Sequence, residues 1–414
     1  MGRRKKLGPL AAAQLAASAG TRPPNLEKRV QELIDQDERE RAKGAQTLLK
    51  NCASCAAPLP RLAKQCSRCK TRYCSAACQK KHWEEGGHDA LCKKIKKGGG
   101  AEQYHADKKY KEAVAVAVEK CAGDTKGQTC YICRDAVHQR TGEGLVRGCA
   151  CHTTEGFAHV SCLAEEAKLL VAEAEENNFG VKEFIARWNR WQTCSLCGQN
   201  YHGVVKCALG WACWKTFVGR PESDLTRLDA MGNLGHGLLD VDDADAALQI
   251  FESSLAVTLR INPHDETHSL LCKHFIARCH QKTGRHEEAA RLFRLVYAKR
   301  KAQKDTMNAL YAGFHLARSL IELGRYADAK SLMLPLQRGL DSRVEQRPLM
   351  RRVYAEALYK TEGASRDEVF EAATILEDVL SLMRRRCGAG HPGTVETLTE
   401  LDRARMTLED KFQQ

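Results

Sequence analysis

The chain has 414 residues, a formal net charge of +13, 43% hydrophobic residues and 28% charged residues. This composition is typical of a soluble globular protein with room for two to four domains. Aromatic residues make up only 6%, which favours helices packed through Ala and Leu over an all-β sandwich. The apolar stretches are much shorter than the roughly 20 residues of a membrane-spanning helix, so we expect no transmembrane segment.

Cysteine is the unusual component of the sequence. Fifteen of the 20 cysteines lie between Cys52 and Cys197, mostly in short pairs with histidines nearby. In a chain of this length such pairs indicate metal sites and not disulfides, and the thiols must stay reduced, which predicts a cytoplasmic or nuclear protein. Fourteen bound thiolates and four Zn²⁺ ions would lower the formal charge of +13 to about +7. Nucleic acid is therefore not an expected partner, although the basic patches Arg3–Lys6 and Lys93–Lys97 remain.

Residues 1–50 are basic and carry no obvious core. An Ala-rich stretch, Leu7–Gly20, follows Arg3–Lys6 as in a weak targeting segment, but Pro9 and Gln14 interrupt it. The pattern favours a partly disordered basic region with a charged helix over Leu26–Lys50. A cleaved targeting segment remains the alternative.

Residues 51–93 hold the first cysteine cluster. The candidate metal ligands are Cys52, Cys55, Cys66, Cys69, Cys74, Cys78, His88 and Cys92. Two sulfurs of a C-x2-C turn can reach one tetrahedral ion, so eight ligands close two zinc sites. His82 is a rival for His88, but His88 and Cys92 are spaced by one helical turn, which favours His88.

This spacing, with the run Tyr73–Trp83 (YCSAACQKKHW), resembles the MYND zinc finger. The resemblance implies interleaved sites, one formed by Cys52, Cys55, Cys74 and Cys78 and the other by Cys66, Cys69, His88 and Cys92. It also implies docking of short proline-containing peptides, with Gln79 and Trp83 in the peptide groove. Alternatively, Trp83 packs a small core stabilised by zinc.

Residues 94–127 form a predicted linker, in which a short helix over Tyr104–Lys120 follows the break at Gly98–Gly100. Residues 128–199 hold the second cluster. Its candidate ligands are Cys130, Cys133, Cys149, Cys151, His159, Cys162, Cys194 and Cys197, again enough for two tetrahedral ions. The long gap between Cys162 and Cys194 predicts helices over Ala164–Glu176 and Val181–Trp191.

The order of these ligands, with the string Gly148–Leu163 (GCACHTTEGFAHVSCL), resembles the RING-CH zinc finger. The resemblance implies one ion on Cys130, Cys133, His159 and Cys162 and another on Cys149, Cys151, Cys194 and Cys197. Many such fingers recruit a ubiquitin-conjugating enzyme through an apolar residue of the first Cys pair, here Ile132. Two departures from the family pattern count against ligase activity. The Trp that follows the equivalent of Cys162 in the family is missing here, and Gly198 occupies the position of a cationic residue that orients ubiquitin in the family.

Residues 200–220 are unusually apolar for a linker. They predict a helix over Tyr201–Trp214 that packs the second module onto the following repeats, with Trp211 and Trp214 in the core.

Residues 221–414 contain an internal repeat, since Ala277–Phe293 aligns with Ala317–Met333. Helix, glycine turn and helix recur at steps of about 40 residues, with small residues where paired helices approach closely. The equivalent alanines are Ala247, Ala289, Ala329 and Ala372. These units resemble tetratricopeptide repeats in the long form of kinesin light chains. The resemblance implies a superhelix whose concave groove binds an extended peptide.

The sequence therefore predicts a mainly α protein with two cross-braced zinc modules and a tetratricopeptide-like superhelix, four structural Zn²⁺ ions and no catalytic residues. We expect a zinc-binding adaptor that docks peptides at the MYND finger and in the repeat groove. The alternative is a RING-CH ubiquitin ligase whose repeats select substrate and whose partner is a ubiquitin-conjugating enzyme. A nucleic-acid binder is a third hypothesis, based on the basic patches alone.

Overall fold

The computed structural model describes residues 48–60, 63–149, 151, 156–338, 347–387, 389 and 392–412. The prediction of a basic, partly disordered region concerns residues 1–50, nearly all of which lie outside the described residues. The chain divides into two compact units between Ser269 and Leu270, and each is described by itself. The described residues form fifteen α-helices and one two-stranded sheet, which confirms the mainly α prediction.

The first unit contains two short strands and eight helices. They are β1 (Lys64–Gln65), β2 (Arg72–Tyr73), α1 (Ala76–Glu84), α2 (His88–Lys97), α3 (Ala101–Thr125), α4 (Val160–Glu176), α5 (Val181–Trp188), α6 (Gly203–Phe217), α7 (Leu225–Asp240) and α8 (Ala244–Ile261). A single 3-10 turn, Asn189–Trp191, extends α5. The two helices predicted between Cys162 and Cys194 are confirmed, although the first begins four residues earlier, at Val160.

The first zinc module is a small hairpin followed by two helices. β1 and β2 are antiparallel, with Lys64 opposite Tyr73. α1 begins where the Ser75 hydroxyl accepts a hydrogen bond from the Cys78 N–H at 3.1 Å, a normal N-terminal cap. Gly87, with φ at +70°, turns the chain into α2. Left-handed backbone of this kind is easiest for glycine.

Helix α3 connects the two zinc modules and is longer than predicted, since it covers 25 residues. Its first N–H, from Ala101, donates to the Cys69 carbonyl of the first module at 2.9 Å. Further along, the hydroxyls of Tyr110 and Ser161 lie 3.1 Å apart, so α3 contacts the second module as well. The predicted linker is therefore a packed helix.

Helix α6 is buried on nearly all sides, including Trp211 and Trp214, which confirms their prediction as core residues. It crosses α7 at very short range because two glycines lie in the interface. A Cβ at Gly210 would lie 3.0 Å from the Asn233 carbonyl oxygen, and one at Gly237 would lie 2.8 Å from the Cys207 Cα. Side chains at these positions would push the helices apart, so α6 and α7 depend on both glycines.

Helices α7 and α8 form the first repeat pair. Asp224 caps α7 through the Thr226 N–H, and Asp243 caps α8 through the Ala246 N–H. Gly235 on α7 faces the Phe251 ring of α8, where a Cβ would lie only 2.4 Å from Cζ. The close approach of the Phe251 ring therefore explains why the repeat needs a small residue at Gly235.

The second unit continues the helical pairs. Its helices are α9 (Glu266–Lys282), which begins just before the division of the units, α10 (His286–Ala302), α11 (Thr306–Glu322), α12 (Tyr326–Arg338), α13 (Arg347–Lys360), α14 (Arg366–Cys387) and α15 (Pro392–Phe412). Gly284 and Gly324 adopt φ values of +74° and +70° at the turns inside two pairs, as the repeat pattern predicted.

The aligned alanines lie in the cores of the repeats. Ala247, Ala289, Ala329 and Ala372 all have fully buried side chains. The stacked helix pairs have the arrangement of tetratricopeptide-like repeats, in which each unit buries its apolar face only against its neighbours. No helix within the described part of the chain is long and apolar enough to span a membrane.

Candidate metal centres

The sixteen predicted ligands come together in four groups of four. Within each group, every ligand atom lies within 4.8 Å of the others. The groups are Cys52, Cys55, Cys74 and Cys78; Cys66, Cys69, His88 and Cys92; Cys130, Cys133, His159 and Cys162; and Cys149, Cys151, Cys194 and Cys197. These are the sets that the two resemblances implied, including the interleaved order in each module.

Distances between the ligand atoms fit a tetrahedral zinc ion. The Sγ atoms of Cys55 and Cys74 are 3.6 Å apart, and those of Cys66 and Cys92 are 3.7 Å apart. A zinc ion with Zn–S bonds of about 2.3 Å requires sulfur–sulfur edges of about 3.8 Å. A disulfide would need about 2.0 Å, and the nineteen cysteines with described side chains are all free. Sets of four sulfurs, or three sulfurs and one nitrogen, are the ligand chemistry that zinc prefers.

The two histidines present different ring nitrogens to their groups. His88 Nε2 lies 3.4 Å from Cys69 Sγ, and His159 Nδ1 lies 3.3 Å from Cys133 Sγ. His82, the rival of His88, instead has its Nδ1 at 3.1 Å from the Tyr73 hydroxyl. His88 Nδ1 is buried without a described hydrogen-bond partner, so the packing of Trp83 on His88, at 5.7 Å between ring centroids, orients that imidazole. Burial lowers the pKa of the His159 imidazole, and a backbone hydrogen bond with Ala136 opposes this change.

The four C-x2-C turns share one backbone geometry. In each, the residue after the second cysteine is left-handed, and its N–H donates to the carbonyl of the first cysteine at 2.9 to 3.0 Å. These residues are Ala56, Lys70, Arg134 and Gly198, with φ values of +57°, +66°, +70° and +69°. Because only one of the four is glycine, this geometry leaves little sign in the sequence. Each turn presents its two sulfurs to the same side.

Backbone hydrogen bonds to sulfur favour thiolates in these turns. Burial favours the neutral thiol of Cys52, but backbone hydrogen bonds from Cys55, Cys74 and Ser54 outweigh burial and lower its pKa to about 6. In the second module the Ile132 N–H lies 3.4 Å from Cys130 Sγ. There too, backbone bonds overcome burial and lower the pKa of Cys130. Thiolate is the form that binds metal.

Gly156 lies directly against the fourth group. Its φ is +85°, and a Cβ built there would be 2.7 Å from the Cys151 Cβ and 3.2 Å from the Cys149 Sγ. Any other residue would displace these ligands. Gly156 was not predicted from the sequence, because a single glycine in a loop carries no specific signal.

The two residues predicted to bind peptide lie on one face of α1. Gln79 is half-buried, and Trp83, four residues later, is 40% exposed. The core of this module contains Tyr73 instead, whose side chain is fully buried. Trp83 thus contacts His88 with one side of its ring and leaves the other side accessible to a ligand.

Ile132 in the second module is also accessible, at 39% exposure. Leu196, in the last Cys pair, is 48% exposed and was not predicted. The turns that carry them are linked through the hydroxyls of Tyr131 and Ser195, which lie 2.9 Å apart. The second module therefore presents two apolar side chains on two turns that are tied together.

Comparison with known proteins identifies one family within the chain. The family model described as MYND finger matches residues 52–92. This match implies zinc binding by the first module. No curated protein matches the sequence.

Several solved structures resemble the helical part. Two of them are crystal structures of nearly identical TPR-like repeats from a putative kinesin light chain of Podosopora anserina. The first shares 21% identity, covers 45% of this chain and 88% of its own, and has a TM-score of 0.36. The second shares 22% identity, covers 46% of this chain and 90% of its own, and has a TM-score of 0.37. BtubC (BKLC) from P. vanneervenii shares 13% identity, covers 61% of this chain and 85% of its own, and has a TM-score of 0.37. These similarities carry no information about partners.

Proposed function

We propose that this protein is a zinc-dependent adaptor in which four structural Zn²⁺ ions hold two modules that bind protein partners. Closed sets of four ligands support a structural role, because a catalytic zinc keeps one position for water or substrate. The proposed domain limits remain 51–93 and 128–199 for the zinc modules and 221–414 for the repeats, joined by segments 94–127 and 200–220. The reduced thiols are compatible with a cytoplasmic or nuclear location.

The observation that carries the adaptor proposal is the accessibility of Trp83. An aromatic side chain that is 40% exposed, on a module whose core is formed by other residues such as Tyr73, is typical of a binding site. Gln79 on the same face provides an amide that can bond to a peptide backbone. A short proline-containing peptide is the ligand that this pair fits.

The test is binding of a panel of fluorescein-labelled proline-containing peptides to wild-type protein and to Trp83→Ala. We expect at least one peptide to bind and the variant to lose that binding while its zinc content stays unchanged. Leu91→Ala is the matched control, because Leu91 lies in the same module and is 39% exposed. Loss of zinc from Trp83→Ala would show that Trp83 is a structural residue.

A second peptide site is proposed in the groove of the repeats. The first helices of successive pairs, α9 and α11, border a cavity of about 390 Å³. Its lining combines apolar, aromatic and hydrogen-bonding side chains, including Phe275, Tyr311 and Asn308. This mixture suits an extended peptide. We expect Tyr311→Ala to weaken binding of a repeat-specific peptide without affecting peptides that bind at Trp83.

Ubiquitin ligation by the second module is the alternative function. The exposed Ile132 and Leu196 on turns joined by Tyr131 and Ser195 support docking of a ubiquitin-conjugating enzyme. The test is a reconstituted ubiquitination reaction with a panel of conjugating enzymes. A ligase requires that wild type transfers ubiquitin and that Ile132→Ala does not, at equal zinc content. Absence of transfer with every enzyme leaves the adaptor as the function.

A further inference from the structure

Two cavities lie between α3 and the second zinc module. The larger has a volume of about 1090 Å³ and is bordered by α3, the loop around Thr141, the start of α4 and the end of α6. The second, of about 350 Å³, lies further along α3 and reaches Thr125. Val118 and Gly144 line both cavities, so the cavities adjoin along α3, and together they are called the groove.

One face of α3 forms the wall of this groove. Tyr110, Val114, Val118 and Ala122 recur at every fourth position and line it. Four-residue spacing places side chains in a row on one side of a helix. From Tyr110 to Thr125 this row is about 22 Å long, at about 1.5 Å per residue. The groove is longer than the cavities that hold small ligands.

Cationic side chains outnumber carboxylates in the lining of the larger cavity, by four to three. Lys111, Lys168 and Lys215 belong to α3, α4 and α6, and Arg140 belongs to the loop. Lys215 Nζ lies 4.0 Å from the centre of the Tyr110 ring and 3.9 Å from the Asp107 carboxylate. Burial lowers the pKa of Lys215; Asp107 and Glu143 oppose this change, whereas the charges of Lys111 and Lys168 lower the pKa further. Lys111 and Lys168 therefore repel Lys215, and an anion bound between the three ammonium groups would relieve that repulsion.

Two of the three carboxylates in the lining of the larger cavity are already engaged. Glu143 accepts a hydrogen bond from the Ser161 N–H at 2.6 Å. Glu165 pairs with Lys168 at 3.3 Å, an exposed pair that costs little to exchange. Lys111 forms no ion pair with any described residue. The groove thus offers cationic charge at its mouth and apolar side chains along its floor.

We propose that this groove binds an acidic amphipathic helix of a partner protein, with its carboxylates between the three lysines and its apolar face along α3. The concave shape and the length of the groove match a helix laid along it. A flat anionic membrane could not enter this concave cavity. This site is separate from the peptide sites at Trp83 and in the repeats.

The proposal is tested with a fluorescein-labelled helical peptide of about 16 residues, long enough to fill the groove, with leucines at every third or fourth position and glutamates elsewhere. A sister peptide carries lysine in place of glutamate. Fluorescence anisotropy measures binding to the full chain and to the double variant Lys111→Glu/Lys168→Glu. The matched control is Lys120→Glu/Lys182→Glu, which makes the same charge change at exposed residues outside the groove.

We expect the acidic peptide to bind, and the groove variant to raise its Kd at least tenfold, equivalent to about 1.4 kcal/mol. The control variant should change Kd by less than about twofold, and zinc content and melting temperature should be equal in all three proteins. Ala115→Gln, a change at an exposed groove residue that keeps the net charge, should also weaken binding.

Three outcomes would overturn the proposal. They are equal binding of the acidic and basic peptides, unchanged binding by the groove variant, and a preference for vesicles of phosphatidylserine and phosphatidylcholine that is lost in the same variant. The last result would mark the lysines as a membrane contact.

Discussion

Gly156→Ala is the substitution with the most specific predicted effect on a single metal site. Gly156 has a φ of +85°, and its Cα faces the two ligands Cys149 and Cys151. An alanine there must adopt left-handed backbone and also place its Cβ 2.7 Å from the Cys151 Cβ. The first effect acts on the backbone and the second on the metal site.

The two effects can be separated by magnitude. Left-handed backbone costs a non-glycine residue about 1–2 kcal/mol. An ordinary carbon–carbon contact is about 3.5–4.0 Å, so Cys151 must move by about 1 Å. Metal–ligand distances tolerate changes of only about 0.2 Å. We therefore expect the affinity of this site for zinc to fall about a hundredfold, equivalent to about 2.7 kcal/mol.

Gly142→Ala is the matched control for backbone strain. Its φ is +71°, and a Cβ at this position would meet nothing within 4 Å. Competition with a chelator, read as zinc released per chain, should show one weakened site in Gly156→Ala and none in Gly142→Ala. Equal zinc retention by the two variants would refute the assignment of Cys149 and Cys151 as ligands of one ion.

Three further predictions concern other parts of the chain. The variant Gly198→Arg should lose about 1–2 kcal/mol of stability but keep its zinc, because Arg134 has the same left-handed conformation and a Cβ at Gly198 meets nothing within 4 Å. Loss of zinc would contradict this prediction. If the second module is a ligase, the variant should also transfer ubiquitin faster. A fragment of residues 262–414 should stay helical by circular dichroism after a chelator removes zinc, since its core contains no predicted metal ligand. Unfolding of the fragment by the chelator would contradict this prediction. Within that fragment, burial, with Arg278 and Arg300, lowers the pKa of His274 to about 3. Burial also lowers the pKa values of His268, His280 and His315. The stability of the fragment in urea should therefore be full above about pH 6.5 and fall below it, with about 1.4 kcal/mol per pH unit contributed by His274 alone. His274→Gln should remove that contribution from the slope.

The helical part of the fold was readable from the sequence because its signals are local. Small residues at steps of about 40 marked the close approaches of paired helices, and Ala289 and Ala329 are fully buried. The division between Ser269 and Leu270 was not readable. The close crossing of α6 and α7 at Gly210 and Gly237 was not readable either, because the sequence does not tell which helices a glycine brings together.

The ligand groups were readable for a different reason. C-x2-C spacing identified the candidate ligands, whereas their division into four sets was implied by the resemblance to the MYND and RING-CH fingers. The left-handed residues of the Cys turns and the groove along α3 could not be predicted from the sequence. Lys70 and Arg134 carry no sign of left-handed backbone, and the groove beside Lys215 is formed by residues from distant parts of the sequence. Such features depend on packing, which single-sequence patterns do not specify.

We propose that two modules each hold two zinc ions in closed sites. Native mass spectrometry of freshly purified protein tests this proposal directly, with the mass compared before and after acid removes the metal. We expect a difference of four zinc ions per chain, and loss of one ion in Cys149→Ser. A difference of two ions or fewer would contradict it, because one of the two modules would then not be a zinc module.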